Sequence, residues 1–233
     1  MRRAALLLIL TSIAPAPVAA HVGHVIRTAE RYLKLDVDGH QARVVVSLTL
    51  GPDEGRRVLE AADTDADGAV DEAESDAYLA QWAEGLRDEV PLRLDDAPVA
   101  ARWGEGYLAP IGRVRRVPVT VEMVARFELG GGEQTVGLED RMVRREVFER
   151  TDVRFQIRGA AELVRSGVEG DDADATEELA YGGSFRGGDP VPLVAVIRTP
   201  ERRTPWPWWW VAGPLGAVVL LVGGFALHRR LAR

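Results

Sequence analysis

The sequence contains no cysteine and only four histidines among its 233 residues. The lack of cysteine excludes a disulfide framework, a thiolate metal site and a cysteine nucleophile. The small number of histidines leaves little scope for imidazole chemistry. The sequence also lacks a glycine-flanked serine elbow, a phosphate-binding loop and a histidine pair at i and i+4. It therefore predicts a protein that is not an enzyme.

Negative charge is concentrated in the middle of the chain. Residues 21–207 hold all 36 acidic residues and 24 of the 29 basic residues, so this part has a net charge near −12. Such a surface repels nucleic acid and anionic lipid headgroups and attracts cations. Nucleic acid is therefore not an expected partner.

The two ends of the chain carry membrane-related signals. Residues 1–20 combine a charged start, a short apolar core and the small-residue exit Val18-Ala19-Ala20, which predicts a secretory signal peptide cleaved before His21. Residues 208–227 contain no charged residue, which is typical of one transmembrane helix rather than a buried helix of a soluble domain. The basic tail 228–233 is then cytoplasmic by the positive-inside rule. The sequence thus predicts a single-pass membrane protein with its main domain in the periplasm or extracellular space, joined by the linker 201–207.

The segment 63–74 has the pattern of a calcium-binding EF-hand loop. Its sixth residue is Gly68, which allows the sharp turn that such a loop needs, and its eighth is the apolar Val70. Oxygen ligands are expected from the side chains, from one backbone carbonyl at position 7 and through water at position 9. The predicted calcium ligands are Asp63, Asp65, Asp67, Ala69, Asp71 and Glu74.

The residues on both sides of this loop predict helices. Pro52 suits a first helical turn, and apolar residues recur at helical spacing up to Asp63 and again from Tyr78 to Leu86. A helix–loop–helix EF-hand is therefore predicted over 52–87. The alternative is an acidic surface turn without an ion. The mutual repulsion of five carboxylates in one turn favours a bound cation.

The remainder of the exported part reads as β-structure. Strands are predicted within 28–50, which forms a hairpin around Asp38-Gly39, and within 92–94, 114–129, 135–139, 153–157 and 191–198. The segment 142–148 is ambiguous between helix and strand. The predicted fold class is α+β: an antiparallel, sandwich-like β domain over 21–200, with the EF-hand inserted after the second strand.

Two other acidic stretches resemble metal loops only in part. Residues 170–178 lack the central glycine and the oxygen spacing of the first loop, so a solvated loop is the better interpretation. Residues 36–39 lack a closing glutamate and are interpreted as a hairpin turn. One calcium ion per chain is therefore expected.

The order of several segments resembles a known arrangement. These segments are His21 at the predicted mature start, Leu35-Asp36-Val37, the loop 63–74, the helix through Tyr78 and Trp82, and Gly159–Ser166. The arrangement is similar to the exported domain that precedes the membrane region in bacterial nickel/cobalt transporter-like and hydrogenase/urease accessory permease-like proteins. The resemblance implies a permease as a protein partner, and it carries over the calcium-loop residues. Those proteins continue into a polytopic permease, whereas this chain has one predicted span.

Two functions remain open from the sequence. The first is a membrane-anchored calcium-binding module whose ion is structural. Calcium is abundant outside the cell, and extracellular modules bind it at about 10⁻⁴–10⁻³ M. A single EF-hand lacks the second loop with which position 8 usually pairs, so Val70 must pair elsewhere or stay unpaired. The alternative is an accessory subunit for nickel, cobalt or copper. Signal cleavage would free an α-amine beside His21, and that amine with the His21 and His24 rings offers nitrogen ligands.

Overall fold

The computed structural model describes residues 26–142, 148–170, 175–182 and 189–201. These residues form two helices and thirteen strands. In chain order they are β1 (Ala29–Asp38), β2 (Gln41–Leu50), α1 (Pro52–Ala62), β3 (Ala69–Val70), α2 (Glu72–Glu89), β4 (Leu92–Leu94), β5 (Ala97–Pro98), β6 (Arg102–Ala109), β7 (Gly112–Arg113), β8 (Val119–Glu128), β9 (Gly132–Asp140), β10 (Phe148–Arg158), β11 (Glu162–Val168), β12 (Glu178–Gly182) and β13 (Val191–Thr199).

The strands form two main sheets. The first has the order β12-β10-β1-β2-β8-β6, and the second has the order β11-β13-β9-β4-β5. The predicted hairpin is present, with β1 and β2 joined at Gly39, whose φ of 59° suits a tight turn. The mainly β composition, the two sheets and the two helices confirm the predicted α+β class and the sandwich-like domain.

One strand pair departs from the antiparallel prediction. β1 and β10 run parallel along their whole length, from Ala29 opposite Phe148 to Asp38 opposite Arg158. A parallel pair needs a long connection, and here the chain between the two strands passes through both helices and the eight strands β2 to β9. Periodicity identifies a strand but says nothing about the direction of a partner so distant in sequence. The first sheet is therefore mixed.

The two sheets enclose the apolar core. Leu33, Val44 and Phe155 of the first sheet face Leu138 and Leu193 of the second, and all five side chains are buried. The gap that these residues line is only about 10 Å³, so the sheets pack with no room for a layer of solvent.

The helices cover the same face of the first sheet as the second sheet does. Val44 faces the second sheet, and Ala125 lies directly opposite Val44 on β8. Opposed residues and residues two apart share a face, so Met123 points to the same side. A Cβ atom at Gly106 of β6 would lie 2.7 Å from the Met123 sulfur and 3.0 Å from Leu79 of α2. The glycine thus permits α2 to pack closely against the β6–β8 edge.

A buried ion pair joins the two sheets near one end. The guanidinium of Arg31 on β1 donates hydrogen bonds to Asp140 of β9 at 2.5 Å and to Thr151 of β10 at 2.9 Å. Arg31 also lies over the ring of Phe148, 4.7 Å from its centroid. Tyr181 of β12 donates to the same Asp140 carboxylate at 2.7 Å. Burial, followed by the Asp140 charge, raises the pKa of Tyr181, which stays protonated as a donor.

Some of the sequence predictions fall outside the described residues. These are the signal peptide 1–20, His21 and His24, the linker after Glu201, the membrane span 208–227, and residues 143–147 of the ambiguous segment. Phe148, the last residue of that segment, begins β10. Across the described ranges, no helix combines the length and apolar character needed to cross a lipid bilayer.

Candidate metal centre

The acidic loop 63–74 lies between α1 and α2, as the sequence predicted, and both of its ends are fixed. α1 ends at Ala62, and the N–H of the next residue, Asp63, donates to the Leu59 carbonyl at 3.0 Å. At the other end Asp71 caps α2, because its carboxylate accepts from the Glu74 N–H at 2.9 Å. The Glu74 carboxylate accepts in return from the Asp71 N–H at 3.2 Å. This reciprocal capping box sets where the second helix begins.

Inside the loop, the first three aspartates fold the backbone around themselves. Asp63 accepts hydrogen bonds from the N–H groups of Asp67 at 3.1 Å and Gly68 at 3.0 Å. Asp65 accepts from Asp67 at 3.0 Å, and Asp67 accepts from Ala69 at 2.8 Å. Gly68 has φ of 86°, where a side chain would strain the backbone. The sequence pattern thus folds into a tight turn with its carboxylates held inward.

Three of the predicted ligands come together at this turn. Asp63, Asp65 and Asp67 each offer a carboxylate oxygen, and these oxygens all lie within 4.8 Å of one another. Calcium–oxygen bonds of about 2.3–2.6 Å separate oxygens on opposite sides of one ion by about 4.6–5.2 Å. The three oxygens therefore fit one coordination shell. An exposed site of flexible carboxylates suits a hard divalent cation rather than a soft transition metal.

Glu74 and Asp71 are placed differently from the three aspartates. One Glu74 carboxylate oxygen accepts from the N–H of Thr64 at 2.6 Å, from its hydroxyl at 3.0 Å and from the N–H of Asp65 at 3.2 Å. The Asp65 hydrogen bond, followed by those from Asp71 and Thr64, holds the pKa of Glu74 below its usual value. The Glu74 carboxylate thus ties the start of α2 to the start of the loop. Glu74 stands beside the cluster rather than within it.

The structure also shows what pairs with position 8 of the loop. Val70 lies opposite Gly112, and Ala69 lies opposite Arg113, in the two-stranded sheet β3–β7. The Val114 N–H adds a hydrogen bond of 2.9 Å to the Gly68 carbonyl. Val70 is 2% exposed. The segment between β6 and β8 thus supplies the pairing that a second loop would supply in a paired EF-hand.

The sequence does not identify the partner of Val70, and its patterns do not predict the strands β6, β7, β11 and β12. The segment that pairs with Val70 carries no calcium ligands, so nothing in its composition connects it with the loop. The sequence offers only an indirect signal: position 8 is apolar, and no other acidic stretch of the sequence has the full spacing of a calcium loop. The capping box, in contrast, is readable from the spacing of Asp71 and Glu74.

The segment between β6 and β8 also contacts α1. Arg116 forms an ion pair with Asp53 in the first turn of α1 at 2.7 Å. A Cβ atom at Gly55 would lie 2.3 Å from the Val117 carbonyl oxygen and 3.0 Å from the Val119 side chain. Only glycine permits this close approach of helix and strand. The helix–loop–helix unit is therefore held on the sandwich at several points.

The structure also places residues of the weaker sequence hypotheses. Of the stretch 36–39 that was interpreted as a hairpin turn, residues 36–38 continue β1 and only Gly39 lies in the turn; Asp36 is paired with arginines. His40 is half-buried, with Nδ1 2.8 Å from the Gly130 carbonyl oxygen. Residues 171–174 of the second acidic stretch are outside the described ranges, as are His21 and His24 of the transition-metal alternative.

Comparison with known proteins assigns no family to this chain. No protein-family model matches it, and no curated protein matches it.

Proposed function

We propose that this chain is a non-catalytic calcium-binding module, exported and held at a membrane by one span. The observation that supports it most directly is the loop 63–74, in which three aspartate oxygens lie within one coordination shell between two helices. The residues proposed to complete the shell are Ala69 through its carbonyl, Asp71 through water and Glu74. The Glu74 carboxylate lies at the same turn. On binding it would give up its hydrogen bonds from the Thr64 and Asp65 N–H groups and coordinate the ion.

We propose further that the ion is structural rather than a signal. A sensor EF-hand needs helices that are free to open and expose an apolar groove. Here α1 packs directly on Val117 and Val119, α2 packs on the β6–β8 edge, and the loop pairs with β7. An ion would neutralise the crowded carboxylates and hold the inserted unit on the sheet. The abundance of calcium outside cells suits a permanently occupied site.

Thermal unfolding in calcium and in excess chelator tests this proposal. At free calcium about 100 times the dissociation constant, the ion should stabilise the fold by about 2.7 kcal/mol and raise the thermal midpoint. Circular dichroism below the melting range should change little on addition of calcium, because a structural site does not switch between two folded states. A large change in helix content, or newly exposed apolar surface near Tyr78 and Trp82, would instead identify a sensor.

The membrane anchor belongs to the same proposal and is supported by the uncharged run 208–227 and the basic tail that follows. The resemblance to accessory permease-like proteins makes a membrane permease the proposed partner. Protease added to intact spheroplasts should digest the exported domain and leave only the span and tail. A protected domain would refute the proposed topology.

A further inference from the structure

A second cluster of charged residues lies on the opposite face of the first sheet from the core. Asp36 of β1 is directly opposite Arg43 of β2, and Arg43 is directly opposite Arg126 of β8. These three side chains share one face. The neighbouring residues Leu35 and Val44 face the second sheet, so the row points outward.

The buried carboxylate of Asp36 organises this cluster. Its side chain is 2% exposed and accepts hydrogen bonds from Arg43 Nε at 2.8 Å and from Arg158 Nη2 at 2.7 and 2.8 Å. Arg43 Nη2 forms an ion pair with the same carboxylate at 2.6 Å. Lys34 lies 3.4 Å away. Burial alone would raise the pKa of Asp36, but the hydrogen bonds from Arg43 and Arg158 outweigh it and hold the pKa below its usual value. Three cations thus share the Asp36 carboxylate, and Asp38 also lies beside them, so this group keeps one net positive charge.

The arginines retain donors beyond those that Asp36 occupies. Within the described part of the chain, Arg158 uses only Nη2 and Arg43 uses Nε and Nη2 toward Asp36. Arg126 makes a two-point pair with Glu105, at 2.7 Å through each nitrogen. Between these side chains is a recess of about 210 Å³, here called the arginine recess. It is lined by Asp36, Asp38, Gln41, Ala42, Arg43, Arg126 and Arg158.

The arginine recess lies at the end of the sandwich where the chain leaves the domain. The β1–β2 turn beside the recess contains His40, whose Nδ1 is 2.8 Å from the Gly130 carbonyl oxygen. The same carbonyl accepts from the Thr199 hydroxyl at 2.6 Å. Thr199 is the last residue of β13, and the proposed membrane span begins nine residues later. The calcium loop pairs instead beyond the opposite ends of β6 and β8.

We propose that the arginine recess binds a phosphate group. Guanidinium groups donate pairs of hydrogen bonds that match phosphate oxygens, and three of them converge here around a buried carboxylate that fixes two of them in place. The exported part as a whole is strongly acidic and repels anions in general. Anion binding is therefore expected at the arginine recess and not over the surface as a whole.

Two sources can supply this phosphate group: a phospholipid headgroup of the membrane at this end, or free inorganic phosphate. The lipid source rests on the proposed membrane anchor, while phosphate binding itself does not depend on calcium. The two sources differ chemically, because a headgroup is a phosphodiester with one negative charge, whereas inorganic phosphate near neutral pH carries more charge and has no substituents.

Calorimetry on the full chain in a neutral detergent tests the proposal. The chain is titrated in chelator with inorganic phosphate and, separately, with glycerophosphoglycerol, a soluble phosphodiester headgroup without acyl chains. The variants are R158Q, R126Q and the control R150Q. R126Q leaves the hydrogen bonds to Asp36 intact, so a loss of binding in R126Q is not explained by disruption of that buried group. Arg150 is an exposed arginine paired with Asp152 on the same sheet.

We expect saturable binding of at least one probe, weakened by about tenfold or more in R158Q and in R126Q and unchanged in R150Q, because each arginine contributes charge-assisted hydrogen bonds. Preference for glycerophosphoglycerol identifies the headgroup, and preference for inorganic phosphate identifies the free ion. The proposal is overturned if neither probe gives saturable heat, or if all three variants weaken binding equally. Failure of calcium binding would leave these results unaffected, because chelator is present throughout.

Discussion

Glu74 is the residue on which the proposed calcium site depends most, because its carboxylate ties the start of α2 to the start of the loop. Replacing it with glutamine should weaken calcium binding by at least about tenfold, since the closing ligand loses its charge and its bidentate geometry. The thermal midpoint of E74Q in calcium should fall toward that of the wild type in chelator. The control is E72Q, an exposed neighbour that is not a predicted ligand. Equal loss in both variants would indicate a general charge effect.

In the absence of calcium, the variant E74Q also tests how much the ionised Glu74 carboxylate stabilises the fold. The folded state holds the pKa of Glu74 below its usual value, so the ionised group stabilises the fold above the unfolded pKa of about 4.3. That stability is lost as the pH falls through the folded pKa. In chelator, urea unfolding should show a difference between wild type and E74Q at neutral pH that disappears in acid. A difference that persists at low pH would contradict the role of these hydrogen bonds.

At the scale of elements, β7 pairs with β3 of the loop in the place where a paired EF-hand would offer its second loop. Gly112 has φ of 105° and open space where a Cβ atom would lie, so G112A strains the backbone without creating a clash. The control is G39A in the β1–β2 turn, where φ is 59° and space is also open. Both variants should lose about 1–2 kcal/mol of stability. Only G112A should weaken calcium binding in calorimetry, and equal affinities would show that β7 does not support the loop.

Elements differ in how well the sequence predicts them. The helices around the loop and the β1–β2 hairpin follow from local periodicity and turn residues, because each forms from neighbouring residues. β6 was missed because it contains Gly104 and Gly106 and four successive exposed residues, so it has no alternating pattern. Its glycines instead serve the packing of α2, as the close contact at Gly106 shows. That requirement arises only once the helix is in place.

At the scale of the whole molecule, the sheets are joined by apolar packing and by the ion pair between Arg31 and Asp140. D140N should destabilise the protein by about 3–5 kcal/mol, because it leaves the buried guanidinium without its counter-charge. The control is E133Q on the same strand, which removes an exposed pair with Arg198 and should cost less than about 1 kcal/mol. Urea unfolding followed by tryptophan fluorescence measures both. Similar losses would mean that the buried pair does not hold the sheets together.

The arrangement of the sheets was beyond the reach of the sequence for a physical reason. The strand β10 reads correctly as a strand, but its parallel pairing with β1 depends on contacts between residues more than a hundred positions apart. Nothing in the sequence indicates that Arg31 is buried, and only its neighbours in space show it. The candidate metal loop was predictable because its donors lie within twelve consecutive residues.

Calorimetric titration of the full chain with calcium is the most direct test of the central claim. We predict one calcium ion per chain, because the described residues gather one cluster of carboxylate ligands, at Asp63, Asp65 and Asp67. Binding should be weakened by at least about tenfold in E74Q and unchanged in E72Q. A stoichiometry of two would show that one of the other acidic stretches, 170–178 or 36–38, is a second site. The absence of any heat at millimolar calcium would contradict the account.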